Sequence, residues 1–132
     1  DRFAKDISLL SVITTIKSVT VFLDLTYINP EKSNQSQWDF PEMNEKVCIL
    51  SASSKGETSQ TYPLKKHSLF LYSLLKGFAG VADDGDAVIE LGEITDYVYK
   101  TIPKEVKGIP NSKGQNPTLY GLDLKRTILD LR

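Results

Sequence analysis

The sequence is poor in the residues that most often build metal and redox sites. Its 132 residues include one cysteine, Cys48, and one histidine, His67. A single cysteine excludes a disulfide within the chain, and one cysteine with one histidine does not supply the clustered ligands that zinc requires. We therefore predict neither a metal nor a cofactor. The lone cysteine fits a reducing compartment and favours a cytoplasmic location.

An excess of one charge and a long apolar run are also missing. The 16 basic and 17 acidic residues leave a net charge of -1, whereas nucleic acids and anionic membranes attract basic surfaces. No apolar run approaches the roughly 18 residues of a membrane-spanning helix, and the first residues do not form a signal-peptide pattern. The composition, 40% hydrophobic and 25% charged, predicts a soluble globular domain or a large part of one, with neither nucleic acid nor membrane as partner.

The strongest positive signal is the stretch Val19–Asn29. Its first part, Val19–Leu23, is a run of apolar and β-branched residues, typical of a parallel-sheet strand that is buried on both faces. At Asp24 the run changes to polar residues. Ligands gather beyond the carboxyl ends of the strands in open α/β sheets, so Asp24 and Thr26 lie where a site is expected.

A second strand of the same kind is predicted over Lys46–Ser54, which begins apolar and ends in small polar residues that include Ser53 and Ser54. Between the two strands, residues 29–44 contain two prolines and many Asn, Gln and Ser residues. They predict a long surface loop. Residues 103–117, rich in Lys, Gly, Asn and Pro, predict another loop.

Three helices are predicted from the spacing of apolar residues, and shorter extended pieces lie between and after them. The helices span residues 6–17, with Asp6 as N-cap, 67–78 and 91–99; the extended pieces span 87–90, 118–121 and 127–131, and 56–62 is a polar turn. The acidic run 83–86 does not match an EF-hand, because a loop with Gly85 in sixth place has Leu91 instead of Glu in twelfth place. We predict an acidic turn there.

Two strands that are buried on both faces need more sheet beside them than this inventory supplies. An uncovered apolar edge would promote aggregation, and two strands alone are at best marginally stable. The pattern therefore predicts an α/β chain that forms part of a larger sheet, completed by another segment or subunit.

Several stretches, in matching order, resemble the caspase-like cysteine peptidases, the family of caspases, metacaspases and their bacterial relatives. The strand that ends in Asp24 and is followed by Thr26 and Tyr27 resembles their nucleophile strand, whose pattern is Asp, small residue, Cys, aromatic. The other similar stretches are Ile49–Ser54, His67–Gly77, Asp83–Asp86 with Leu91–Val98, and Gln115–Pro117 with Gly121. Together they cover most of residues 6–121.

The resemblance implies a fold and a partner. The fold is a caspase-like three-layer sandwich with a mainly parallel sheet, and residues 1–132 form the C-terminal portion of that domain. The N-terminal portion, which carries the catalytic histidine of the family, is not in this chain. The implied partner is another protein or the missing N-terminal half of the same domain, in a hetero-oligomeric assembly.

The departures from the family pattern concern catalysis. The nucleophile position holds Thr26, whose hydroxyl is far less acidic than a thiol and needs a strong neighbouring base. His67 belongs to a different motif from the catalytic histidine, and Cys48 lies in mid-strand, where an inert buried thiol is the rule. We therefore expect no catalytic residue. The resemblance implies that Asp24, Ser53 and Ser54 are the remnant of a substrate pocket.

Three functional hypotheses follow. The first is a non-catalytic caspase-like module that acts as a scaffold or regulatory partner in a larger assembly. The second is a processed fragment or subunit of an active caspase-like endopeptidase whose His and Cys lie in another chain. The third disregards the resemblance and predicts a small α/β binding domain that uses the loops at 29–44 and 103–117 as its binding surface.

Overall fold

A computed structural model of the chain describes residues 15–25, 45–54, 56–62 and 64–132. These residues form a mixed α/β fold. The strands are β1 (Val19–Leu23), β2 (Val47–Ser51), β3 (Thr61–Tyr62), β4 (His67–Ser68), β5 (Val88–Glu90), β6 (Thr118–Tyr120) and β7 (Thr127–Asp130). The helices are α1 (Leu69–Lys76), followed by a π-helical turn (Gly77–Val81), and α2 (Leu91–Glu105), followed by a 3-10 turn (Val106–Gly108). Within the described ranges, neither helix is long and apolar enough to cross a lipid bilayer.

The main sheet has the strand order β1-β2-β6. The strands β1 and β2 are parallel, from the pair Val19 and Val47 to the pair Leu23 and Ser51, which confirms the predicted parallel pair. The strand β6 runs antiparallel to β2. The pairings of β3 with β4 and of β5 with β7 are antiparallel too, so the described residues do not confirm a mainly parallel sheet.

The strand β2 is buried on both faces, as predicted. Cys48 and Leu50 belong to the main core, while Val47 and Ile49 point to the opposite face, where residues of β1 and β6 pack against them. Successive side chains of a strand alternate between faces, so one strand serves both clusters. The helices contribute buried apolar side chains to the main core: Leu69, Phe70 and Leu74 from α1, and Leu91, Ile94, Val98 and Ile102 from α2.

Two glycines allow backbone and side chains to approach closely in this core. A Cβ atom on Gly77 would clash with Cδ1 of Ile94, so this glycine permits the contact between the π-helical turn and α2. A Cβ atom on Gly121 would lie 2.5 Å from the sulfur of Cys48, and Gly121 has a φ of +122°. Space and backbone conformation both require glycine at position 121.

A buried arginine connects the segment before β7 to the amino ends of β1 and β2. The side chain of Arg126 is 5% exposed. Its Nη1 donates to the carbonyl oxygen of Val19 at 2.7 Å, and its Nη2 donates to that of Glu45 at 2.6 Å. Its Nε pairs with the carboxylate of Asp123 at 3.2 Å, which balances the charge.

The predicted helix bounds need correction. Residues 6–14 of the first predicted helix and the loop at 29–44 lie outside the described residues, whereas 15–17 are not helical. The helix predicted from position 67 begins at Leu69, because His67 and Ser68 form β4 instead. The helix α2 continues to Glu105, where a loop was predicted from position 103. Its buried stripe extends through Ile102, which stabilises a last turn that contains Pro103.

Candidate functional site

The carboxylate of Asp24 lies directly beyond the carboxyl end of β1 and is held by two serine hydroxyls. The hydroxyl of Ser59, from the segment after β2, donates to Oδ1 at 2.7 Å. The hydroxyl of Ser68, from β4, donates to Oδ2. Ser59 is buried, whereas Asp24 is exposed. A carboxylate offers about four lone-pair positions, so Asp24 retains acceptor capacity toward solvent.

Ser68 has a second role as the N-cap of α1. Its backbone is extended, and its side-chain oxygen accepts the backbone N–H of Leu71 at 2.9 Å. This is the usual way in which serine satisfies a free N–H group at a helix start. One hydroxyl therefore joins the end of β1 to the first turn of α1.

The segment after β2 is attached to the segment before β6. Glu57 is the centre of this attachment, since its carboxylate accepts the backbone N–H of Asn116 at 2.7 Å and the side-chain Nδ2 of Asn116 at 2.6 Å. The same carboxylate accepts the backbone N–H of Ser54 at 3.1 Å. The hydroxyl of Ser54 contacts Thr118 Oγ1 at 2.8 Å and donates to the carbonyl of Asn116 at 2.9 Å. The hydroxyl of Ser53 makes a long contact of 3.5 Å with the carbonyl of Glu57.

A fully buried amide completes this attachment. The side-chain Nε2 of Gln115 donates to the carbonyl of Ala52 at 2.9 Å, and its Oε1 accepts the backbone N–H of Gln60 at 2.8 Å. Gln115 is 0% exposed, so its own amide does not have water as an alternative partner at this position. The amide thereby fixes both ends of the segment that carries Ser59.

The structure places the predicted pocket residues at one edge of the sheet but in two hydrogen-bond networks. Asp24 contacts Ser59 and Ser68, whereas Ser53 and Ser54 take part in the network of Glu57. The sequence reasoning did not predict these contacts of Ser59, Ser68 and Glu57. The sequence identifies the motif that begins at Gln115 but does not indicate its role as a bridge.

The residues with nucleophile or base chemistry are not assembled at this edge in the part of the chain that the structure describes. Cys48 is 0% exposed and lies in the main core, so its thiol is inaccessible. His67 is exposed in β4, where its strand partner is Tyr62. Thr26, which the sequence resemblance placed at a nucleophile position, lies outside the described residues.

A separate acidic turn precedes α2. Carboxylate oxygens of Asp83, Asp84 and Asp86 lie within 4.8 Å of one another and are the candidate cation ligands of the described ranges. Two of these carboxylates already accept backbone N–H groups: Asp83 accepts that of Ala87 at 3.1 Å, and Asp86 accepts that of Val88 at 2.8 Å. These contacts match the predicted acidic turn.

Glu93, in the first turn of α2, ties this acidic turn to the helix. Its carboxylate accepts the backbone N–H of Asp84 at 2.8 Å and that of Glu90 at 2.7 Å. Lys125 lies 3.0 Å from the carboxylate of Glu90. This hydrogen bond is the main cause of the raised pKa of Lys125, and charge attraction to Glu90, Asp84 and Glu93 adds to it. A cation of the chain itself therefore offsets part of the negative charge.

Comparisons of the chain with models of known protein families, with curated proteins and with solved structures found no match. The functional argument therefore rests on the residues of the chain and on the geometry described above.

Proposed function

We propose that the chain is the C-terminal portion of a caspase-like module that does not catalyse peptide cleavage and acts as a scaffold or regulatory partner in a larger assembly. The observation that carries this proposal is the arrangement around Asp24. Its carboxylate follows β1, is held by Ser59 and Ser68, and has neither Cys48 nor His67 as a hydrogen-bond partner.

The order of the elements supports the caspase-like part of the proposal. The similar stretches fall in chain order on β1, on β2, on β4 with α1, on the acidic turn with α2, and on the segment that leads into β6. The first two are adjacent parallel strands, as a nucleophile strand and its neighbour would be. Both helices pack against the core face of β2 that carries Cys48, which is one helical layer of the proposed sandwich.

The chemistry of the available side chains supports the non-catalytic part. Thiol catalysis requires an accessible thiolate with a base beside it, and the one thiol of the chain is buried. A threonine hydroxyl inside a chain requires an even stronger base, and the only imidazole belongs to His67 on β4. Thr26 therefore occupies the nucleophile position without the means to react.

Asp24 gives the module a binding function that does not require catalysis. Its exposed carboxylate, fixed by two hydroxyls, is an acceptor for the ammonium or guanidinium group of a partner segment. The attachment of the neighbouring segment through Gln115 keeps Ser59 in place. A partner segment bound there would not be cut.

Peptidase assays test this proposal. We expect no cleavage of peptides with Arg, Lys or Asp before the scissile bond, with or without calcium, and no labelling by thiol-directed peptidase inhibitors. Cleavage that disappears in Thr26→Ala would overturn the non-catalytic assignment. Native mass spectrometry of the assembly tests the second hypothesis. An associated chain with His and Cys catalytic motifs would identify this chain as a subunit of an active endopeptidase.

Binding assays test the role of Asp24. A labelled peptide with one central arginine should bind the wild-type chain more tightly than Asp24→Asn, since the substitution removes the charge but retains the shape of the side chain. Asp96→Asn removes the same charge from an exposed aspartate on α2 and is the control for nonspecific charge effects. Equal affinity in wild type and Asp24→Asn would contradict a binding role for this carboxylate.

A further inference from the structure

The chain carries a positively charged surface that the proposed function does not use. Residues 58–82 contain three lysines and no acidic residue, although the whole chain has a net charge of -1. These residues form the hairpin of β3 and β4 together with α1 and its π-helical turn. This supersecondary unit therefore carries a net positive charge in a chain whose net charge is negative.

Two of these lysines are gathered around one aromatic ring. Tyr62 of β3 stacks on Tyr72 of α1, with ring centroids 5.3 Å apart and an interplanar angle of 17°. The ammonium groups of Lys65, from the hairpin turn, and Lys76, from the end of α1, each lie 5.6 Å from the centroid of the Tyr72 ring. Attraction to the ring offsets part of their mutual repulsion, but no carboxylate in the described ranges pairs with either.

Exposed leucines lie beside these charges. Leu64, next to Lys65 in the hairpin turn, is 87% exposed, and Leu71 and Leu75 on α1 are 41% and 53% exposed. Positions three and four apart are neighbours on a helix, so Leu71 and Leu75 adjoin each other and Leu75 adjoins Tyr72. Single exposed leucines are common, but a group of them beside aromatic and charged groups indicates a contact surface.

We propose that the surface formed by Leu64, Lys65, Leu71, Tyr72, Leu75 and Lys76, here called the hairpin–α1 surface, docks an acidic amphipathic helix of a partner protein. The leucines would contact the apolar side of such a helix, and the two ammonium groups would pair with its carboxylates. Charge complementarity selects this partner, because the surface presents two lysines and no acid. The inference does not depend on the caspase-like assignment.

A partner protein fits this surface better than an anionic membrane does. Membrane attraction requires clusters of about four to eight Lys or Arg residues, and the whole segment 58–82 has three lysines. The ammonium groups of Lys65 and Lys76 instead lie around one aromatic ring. A paired arrangement of charges beside exposed leucines suits a helix with regularly spaced acids.

Fluorescence anisotropy with a defined probe tests the proposal. The probe is a labelled synthetic helix of about five turns that repeats Leu-Glu-Glu-Leu-Leu-Glu-Glu, and the protein is the full 132-residue chain. We expect saturable binding that weakens with added salt. The double variant Lys65→Glu, Lys76→Glu should raise the Kd roughly tenfold or more, since two favourable charge contacts become repulsive.

Matched control variants distinguish binding at the hairpin–α1 surface from a general effect of charge or exposed apolar side chains on binding. Lys100→Glu with Lys113→Glu makes the same charge change at exposed positions elsewhere and should leave the Kd within about twofold. Leu64→Ser should weaken binding, whereas Leu122→Ser, which alters a leucine that is 88% exposed, should not. None of these side chains lies in the core, so the variants are expected to fold.

Three results would overturn the proposal. The first is the absence of saturable binding of the acidic helix to the wild-type chain. The second is equal weakening by the Lys65 and Lys76 pair and by the control pair of substitutions, which would indicate general attraction by charge. The third is binding to phosphatidylserine vesicles, lost in Lys65→Glu with Lys76→Glu, without binding to the acidic helix, which would assign the surface to a membrane instead.

Discussion

The buried amide of Gln115 provides the sharpest test of how the candidate site is built. Gln115→Leu keeps the approximate size of the side chain and removes both of its hydrogen bonds, so the carbonyl of Ala52 and the backbone N–H of Gln60 lose their partner. An unsatisfied buried group costs about 1–3 kcal/mol, so we expect the free energy of unfolding to fall by about 3 kcal/mol. For a chain of this size that corresponds to a decrease of roughly 10 °C in Tm.

Urea denaturation followed by circular dichroism measures this loss, and the neighbouring glutamine supplies the control. The side chain of Gln60 donates only an exposed hydrogen bond to the carbonyl of Thr58, so Gln60→Leu should change the free energy of unfolding by less than about 0.5 kcal/mol. Amide exchange gives a local readout, since the N–H of Gln60 should exchange faster in Gln115→Leu. Equal stability of the two variants would refute the bridging role of the buried amide.

The remaining predictions concern the core and the exposed end of β7. Arg126→Met leaves two strand-end carbonyls without their donor and should lower the free energy of unfolding by about 2–4 kcal/mol in urea titrations, whereas Arg132→Met, at an exposed arginine, should have little effect. Gly121→Ala should lower the free energy of unfolding by at least about 1 kcal/mol more than Gly114→Ala does. Both glycines have a positive φ, but only at position 121 would the new Cβ atom meet a neighbouring side chain. Equal losses of stability in the two variants would assign the whole effect to backbone strain. Hydrogen bonds from Arg132 lower the pKa of Asp130 to about 2, so the contribution of this pair is present above about pH 4 and is lost as the pH falls toward 2. An NMR titration should show the pKa of Asp130 returning toward its ordinary value in Arg132→Met.

The parts of the fold that were predictable are those encoded in local patterns. The runs that became β1 and β2 are apolar and β-branched, and such runs predict parallel strands from composition alone. The hairpin of β3 and β4 was missed because each strand has two residues, too few to show alternation. The end of α2 was misplaced because the packing of Ile102 in the core outweighs the local effect of Pro103.

The candidate site was predictable in position but not in its contacts. Asp24 is recognisable in the sequence because it is an acidic residue directly after an apolar strand. In a parallel sheet, ligands bind beyond the carboxyl ends of the strands, so this position predicts a site. Its partners Ser59 and Ser68 lie 35 and 44 residues away along the chain, and Gln115 lies 63 residues from Ala52. Hydrogen bonds between such distant loops leave no periodic pattern in one sequence, so no local rule identifies them.

The contact between Arg126 and β1 has a consequence for how the protein folds during synthesis. The guanidinium group of Arg126 reaches back across 107 residues to the carbonyl of Val19. The amino end of β1 therefore cannot acquire this contact until residue 126 has left the ribosome, although β1 is synthesised long before it. Contacts of such high sequence separation form late, so this hydrogen bond is added after β1 and its parallel neighbour β2 have both been synthesised.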